Sequence, residues 1–454
     1  MKMRLLLFLF IFGYSQINAQ WANFCTGNTD GFVVDFARYN NSIYCTGFFH
    51  NVCDADAEFV ASWDGSNWNS TDNTFNQEGH AIDSINGLLY ASLYQFTTDS
   101  NYVYTYNGSA WSTVGNGVLQ NNPGPGFPKN ATIYDIIEYD GKVIACGDFD
   151  IAGDIVVNGI MQWDGTTWLP LGEGLTEFIP GMPSILYPHN MTIFDGDLIV
   201  VGNFYKAGGT IVNGIARWDG TTWHALGEGF NNSAYAVCVY DGELYAGGEF
   251  TMSGTTPLGR IAKWNGVSWE NPGFEIAYSV TALHEFVHTL KTIDGKLYIT
   301  GGFDQLIIDG VTTDAGSILS FDGTSIDTLA GGVEGEIEAI IEYENGILVA
   351  GNFSAAGGVP AENFAVYQYP DIPVKDYDVT NILIYPNPAH DQVFVELQKG
   401  IQTDIIVSDM RRNILYTQTA CNSITINMSR FASGFYLIKV KNADNVFSNL
   451  IFVE

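Results

Sequence analysis

Apolar and polar positions along most of this chain follow one another in short runs of four to eight residues, punctuated by Asp-Gly, Asn-Gly and Gly-Gly. Such runs predict strands, and the dipeptides predict tight hairpin turns, because Gly and Asn tolerate positive φ. Residues 132–171 show the pattern well. "TIYDIIEY" is a first strand and "KVIACGDF" a second, joined by Asp140-Gly141, followed by "GIMQW" and "TTWLPLG", joined by Asp164-Gly165. No stretch carries a sustained 3.6-residue period, so the chain reads as all-β.

The same text recurs. "NGIMQWDGTTWLPLGEGL" at 158–175 returns as "NGIARWDGTTWHALGEGF" at 213–230, with weaker copies at 60–68, 103–118, 260–269 and 318–333. Ahead of each copy stands a second signature, as in "YDGKVIACGDF", "FDGDLIVVGNF", "YDGELYAGGEF" and "IDGKLYITGGF". Taking the residue before the turn glycine as anchor gives Asn40, Asn86, Asp140, Asp195, Asp241, Asp294 and Asn345, with spacings of 46, 54, 55, 46, 53 and 51. Seven units of four strands predict a seven-bladed β-propeller over residues 21–370. In Gly-Gly and Trp spacing it resembles kelch-like propellers. The last unit stops after "ENFAVYQYP", and the N-terminal "WANFCTG" resembles the fourth-strand text "WHALGEG". The N-terminal strand is therefore expected to complete the seventh blade. Trp pairs such as Trp163/Trp168 and Trp218/Trp223 read as packing between blades.

Beyond a short linker at 371–377, the text changes to that of a small β-sandwich at 378–454. Tyr385-Pro386-Asn387-Pro388-Ala389, Asp409 opening a strand–turn–strand, and the late Gly434-Phe435-Tyr436 resemble the C-terminal sorting domain of the type IX secretion system, found on exported proteins of the Bacteroidetes. Where that family usually has glycine in the turn, this chain has Arg411-Arg412-Asn413. The resemblance implies a sorting signal that includes Tyr385, Pro386, Asn387, Pro388, Gly434 and Tyr436. It further implies the type IX machinery as a partner, passage through the periplasm and across the outer membrane, and release or attachment to surface lipopolysaccharide, often with removal of the tail. Residues 1–20 agree with export: Lys2 and Arg4 precede an apolar run from Leu5 to Tyr14, with Ala19 at the cleavage point, which reads as a signal peptide. No later run is long and apolar enough to be a transmembrane segment.

Charge narrows the partners. Lys and Arg number 18 against 50 Asp and Glu, a formal charge of −32, which becomes −34 without Lys2 and Arg4. A surface of that sign repels nucleic acid and anionic lipid. Six cysteines are too few for a disulfide scaffold. Cys45 and Cys53 are placed to bridge neighbouring strands, with Cys25 competing for either, while Cys146 and Cys238 read as buried thiols.

Candidate chemistry is sparse. His284-Glu285-Phe286-Val287-His288 spells the H-E-x-x-H of zinc proteases, which needs both histidines one helical turn apart. The repeat register instead puts His288 in a first strand, where residues four apart lie about 13 Å apart. No metal and no cofactor are called for. The same register aligns His80, Tyr134, His189, Tyr235 and His288 six residues before their anchors, with Val34 and Ala339 in the first and seventh units. Innermost strands flank a propeller's central channel, so these five form a candidate ligand-binding ring at its mouth, near the long loops 116–131 and 173–189. The favoured function is a non-catalytic surface or secreted module for an extracellular glycan or protein. The alternative is a polysaccharide lyase or hydrolase using a His/Tyr pair at the same mouth.

Overall fold

A computed structural model describes residues 20–25, 27, 29–71, 75, 78–95, 100–120, 131–176, 187–279, 286–369, 383–397, 403–409, 414–441 and 446–453. The signal-peptide reading, the centres of both long loops, His284, Glu285, the linker and Arg411–Asn413 lie outside them. The chain forms two compact units, one up to residue 370 and one from 371.

In the first unit the described strands form antiparallel sheets, the larger of which are built on one plan of four strands, with small two- and three-stranded sheets beside them. In the third sheet the order is Thr132–Tyr139, Lys142–Asp148, Ile160–Trp163 and Trp168–Pro170. The hairpin between the first two strands turns through Asp140 at φ +51° and Gly141 at φ +73°, which Asp and Gly accept and a β-branched residue would not. The first strands of successive sheets, from Phe32–Tyr39 round to Val333–Tyr343, adjoin one another in order, and the last adjoins the first. That circular adjacency of inner strands makes the unit a β-propeller.

The ring is joined by pairing the two ends of the unit. Gln20–Asn23 lies antiparallel to Phe364–Gln368, with Trp21 opposite Tyr367. It is the fourth strand of the sheet that also contains Val333–Tyr343 and Gly346–Ala356. Core residues sit between sheets: Ile144 and Cys146 of the third pack with Met191, Leu198 and Val200 of the fourth. The Trp pairs belong to this packing. Trp163 and Trp168 face each other across the hairpin with ring centres 5.2 Å apart, and Trp168 Nε1 donates to the Val114 carbonyl of the preceding unit at 2.8 Å. Trp223 and Trp269 repeat the bond to Leu171 and Leu226, each at 3.1 Å.

Cys25 bonds to Cys53, with Cα atoms 5.3 Å apart, and Cys45 is a buried free thiol. The expected competitor Cys25 thus takes Cys53, the Cys45–Cys53 bridge does not form, and Cys45 lies fully buried in the core between the first and last sheets.

In the second unit a three-stranded sheet (Leu383–Tyr385, Gln392–Glu396, Ile424–Asn427) and a four-stranded one (Ile414–Ala420, Thr403–Asp409, Gly434–Lys441, Val446–Val453) enclose one core. Val393, Ile405, Ile426 and Ile438 belong to it.

Candidate functional site

The geometry of the mouth begins with a bulge. In every inner strand the pairing register slips by one residue at the same place: between Val33 and Asp35, Gly79 and Ala81, Ile133 and Asp135, Pro188 and Asn190, Ala234 and Ala236, Val287 and Thr289, and Ile337 and Ala339. The extra residues are Val34, His80, Tyr134, His189, Tyr235, His288 and Glu338. A bulge leaves its residue unpaired and re-aims its side chain. The five aligned His and Tyr residues therefore line a common channel of about 440 Å³ and do not lie in the dry spaces between sheets.

Opposite six of the seven bulges stands a glycine: Gly47, Gly147, Gly202, Gly248, Gly301 and Gly351. A Cβ on Gly147 would come within 2.0 Å of the Thr132 carbonyl oxygen, and one on Gly301 within 2.2 Å of that of Phe286. The repeated glycine of "ACGDF" and "ITGGF" thus exists to admit the bulge.

One expected member changes. The last hairpin turns at Glu344, φ +50°, one residue before the assumed anchor, so the seventh ring position is Glu338. Ala339 is buried in the core between the last and first sheets. Glu338 Oε2 sits 3.1 Å from His288 Nε2.

The ring side chains touch in sequence. His80 meets Tyr134 at 5.8 Å between ring centres, Tyr134 stacks on His189 at 5.0 Å, and His189 meets Tyr235 edge-on at 4.6 Å. Phe32, Phe48, Tyr187 and Phe286 extend the arc: Phe48 lies 5.0 Å from His80, and Phe286 lies 5.6 Å from Tyr235 and 6.0 Å from His288. Sequence reading missed these four and Glu338. Two signals marked the four aromatic residues: Phe32, Tyr187 and Phe286 stand two before a bulge, and Phe48 follows a bulge glycine.

Enclosure sets the protonation states. Burial lowers His80 to about 4 and His189 to about 3, the latter helped by His288, so both imidazoles are neutral in ordinary buffers. The titration near pH 6.5 expected of a free histidine does not apply to them. Tyr134 and Tyr235 are raised above the usual phenol range, chiefly by burial and then by Asp148 and Glu249 respectively. Tyr235 donates to Glu249 Oε1 at 2.9 Å.

Residues following the bulges tie the inner strands together. Asp35 Oδ2 accepts from the Ile82 N–H at 2.9 Å, Asp135 Oδ2 from Met191 N–H at 2.7 Å, and Asn190 Oδ1 from Val237 N–H at 3.0 Å. Burial raises Asp35 to about 6, with Lys291 opposing. Asp135 rises to about 7 by burial, reinforced by Asp35 and Asp83. These carboxylates are structural acceptors on the channel wall.

Towards the fifth to seventh sheets the channel mouth widens into a basin of about 890 Å³. His189, Tyr235 and His288 line both the channel and this basin, and Glu249, Tyr278, Phe286, Asp304, Glu336 and Asn352 are among the other residues that border it. As for the zinc motif, Phe286, Val287 and His288 are strand residues, while His284 and Glu285 lie outside the described residues. Among the described residues no group of three or more His, Cys, Asp or Glu is arranged to hold a metal ion.

The residues read from the sequence as a sorting signal fall in the second unit. Exposed Tyr385 stacks on Phe394 at 5.6 Å. Asn387 Oδ1 accepts the Phe452 N–H at 2.9 Å, and the Phe452 carbonyl accepts the Ala389 N–H at 2.7 Å, so the Tyr-Pro-Asn-Pro segment is bound to the final strand. Pro386 and Pro388 both follow cis peptide bonds. Gly434 opens its strand, and buried Tyr436 donates to the Ala432 carbonyl at 2.8 Å.

Residues 383–454 match the family model described as "Secretion system C-terminal sorting domain". The tail is such a domain, which implies export to the cell surface or the medium and contact with secretion machinery. No helix among the described residues is long and apolar enough to cross a membrane. No curated protein matches the chain. Among solved structures, it is similar to the extracellular domain of a protein assigned as a hybrid two-component system from B. thetaiotaomicron (11% identity, TM-score 0.43, 96% of this chain and 59% of that one). It is also similar to the β-propeller domain of the Trilobed protease from Pyrococcus furiosus (9%, 0.40, 77% and 99%) and to the WD40 β-propeller domain of Doa1 (12%, 0.38, 75% and 93%). The chain thus spans less than two thirds of the first of these.

Proposed function

We propose that this chain is an exported binding protein: a seven-bladed, kelch-like propeller at residues 21–370 that holds an extracellular glycan or protein at one channel mouth. In this reading, residues 1–20 are a cleaved signal peptide, and 378–454 direct passage through the type IX system of a Bacteroidetes cell. The product is then released or attached to surface lipopolysaccharide. The observation carrying the binding role is the aromatic arc from Phe32 to His288, whose ring contacts run unbroken along the mouth and open into a basin of about 890 Å³. Such a volume suits a small-molecule or oligosaccharide site. Aromatic faces stack on apolar surfaces, and neutral imidazoles and phenols exchange hydrogen bonds with hydroxyls. The mature chain, screened on arrays of glycans and extracellular proteins, is expected to bind a defined subset, with His189→Ala and Tyr235→Ala each weakening it in a folded protein. If no array component binds, or both variants bind unchanged, the reading fails.

A lyase or hydrolase is the second reading, favoured by the His288–Glu338 pair, in which a carboxylate can orient an imidazole for acid–base work. Against it, eliminating a uronate calls for positive charge beside the substrate carboxylate. Among the described residues lining the basin there is neither Lys nor Arg, and the channel that holds the pair is lined by Lys291 against Asp35, Asp83, Asp135 and Glu338. Release of unsaturated or reducing ends from a polysaccharide panel would reinstate it.

A further inference from the structure

We propose that the Cys25–Cys53 disulfide is a redox latch on the ring. Oxidised, it holds the closing strand Gln20–Asn23 against the last sheet; reduced, it lets that strand detach while the other sheets stay folded. The inference is independent of what the channel mouth binds.

Both cysteines stand where the repeat elsewhere has glycine. Cys53 opens the turn of the small hairpin made by Asn51–Val52 and Ala55–Asp56, at φ +50°. The corresponding turns hold Gly153, Gly208, Gly254 and Gly357, at φ +60°, +54°, +55° and +54°. Positive φ costs a cysteine what it does not cost a glycine. Cys25 follows Trp21 by four residues, as Gly115, Gly172 and Gly227 follow Trp111, Trp168 and Trp223. Two departures from one repeat thus meet in a single bond.

That bond stands where the ties of the interior seams are missing. Elsewhere the turn glycine donates its N–H to the preceding unit: Gly153 to the Gly117 carbonyl at 3.0 Å, and Gly208 to that of Gly174 at 2.9 Å. The Cys53 N–H donates instead to Thr29 Oγ1 at 3.1 Å. Trp168, Trp223 and Trp269 each bond to the preceding unit, whereas the buried Trp68 Nε1 has no hydrogen-bond partner among the described residues. The strand to be held has four residues and no hairpin linking it to its own sheet. Reduced, its tether is the chain running on to Phe32; oxidised, only Phe24 separates it from a fixed point. A shorter tether raises the effective concentration of the strand at its site. The first and last sheets keep other ties, Arg38 to the Glu342 carbonyl at 2.7 Å and Asn363 to that of Gly31 at 2.9 Å, so detachment is confined to the strand.

Dithiothreitol supplies the two electrons and two protons needed: the S–S bond breaks, an S–H bond forms on each cysteine, and the reductant closes to its own disulfide. The mature full-length chain, with Cys421→Ser to remove the exposed thiol, is followed by hydrogen exchange and mass spectrometry. It is measured oxidised, reduced, and reoxidised with oxidised glutathione, and alkylation of Cys25 and Cys53 verifies the reduced state. Amides in residues 21–25 should exchange about tenfold or more faster after reduction and recover on reoxidation, with Lys142–Asp148 unchanged throughout. The double change Cys25→Ser and Cys53→Ser should exchange fast with or without dithiothreitol. Should that variant fail to fold, reduction of the already folded chain carries the test. Equal exchange at residues 21–25 in both states overturns the latch and leaves the strand held by its ladder and Trp21 alone. Faster exchange throughout the propeller on reduction overturns it as well, and makes the bond a staple of the whole fold.

Discussion

Trp21 Nε1 donates to the carbonyl of Leu329, 308 residues away, at 2.6 Å. The bond is the one that Trp168, Trp223 and Trp269 each make to the preceding unit, so Trp21 occupies the fourth-strand Trp position of the last sheet. Trp21 is buried, and Leu329 belongs to the same core. The two ends of the propeller are thereby held through the same contact that joins its interior sheets.

Trp21→Ala should therefore destabilise the propeller by about 3–5 kcal/mol, the range for removing a buried large aromatic residue. Trp21→Phe keeps most of the apolar volume and loses the hydrogen bond, and should cost nearer 1–2 kcal/mol. A chain beginning at Gly31 should melt well below one beginning at Gln20. Equal melting temperatures for the two chains would contradict the role given to this strand.

Gly147→Ala probes the bulge. Its new Cβ would sit 2.0 Å from the Thr132 carbonyl oxygen, a backbone atom that cannot swing aside. The third inner strand must lose its bulge or part from its neighbour. The expected outcome is a loss of about 2 kcal/mol or more with displacement of Tyr134, read by denaturant melts and by Tyr134 ring resonances. Gly141→Ala, at a turn where nothing lies within 4 Å, strains its own backbone but should leave Tyr134 in place.

Asp135→Asn tests the raised carboxyl. In the folded chain Asp135 holds its proton up to about pH 7, against about 3.8 when unfolded. The folded state therefore binds more protons across that window, and wild-type stability from this group falls as pH rises from about 4 to about 7. Asparagine removes the slope. Its stability relative to wild type should climb over the same range, by up to about 3 kcal/mol, in urea melts taken at several pH values. A flat difference would refute it.

His80 and His189 act in the opposite sense. Their folded values lie below the ordinary 6.5, so the unfolded chain binds more protons beneath that pH. The stability they contribute is complete above about 6.5 and is lost as pH falls towards 4 and 3. Proton NMR should show both imidazoles titrating below pH 5. A midpoint near 6.5 for either would mean that it faces open water.

Deleting residues 378–454 tests the tail. The propeller should fold and accumulate in the periplasm, while the full chain reaches the surface or medium. Normal export of the shortened chain would remove the sorting role from Tyr385–Pro388 and Gly434–Tyr436.

Local chemistry alone was enough to make several features legible. Strand periodicity, Asp-Gly turns and the recurrence of two signatures prescribe hairpins of one kind, because side-chain alternation and positive φ act within a few residues. The sorting tail is likewise written in short local motifs, and the aligned offset of His80, Tyr134, His189, Tyr235 and His288 was visible by counting. What the tertiary structure decided lies where counting fails. A bulge breaks the two-residue period, and the last turn closes one residue earlier than its Asn-Gly suggests, so Glu338 and not Ala339 enters the ring. Cys25 reaches Cys53 only because the N-terminal strand returns to the last sheet. Glu249, Asp304 and Glu336, far apart in the chain, share a basin because three sheets converge there. Such proximities depend on how the ring closes in space, which no local window of sequence contains.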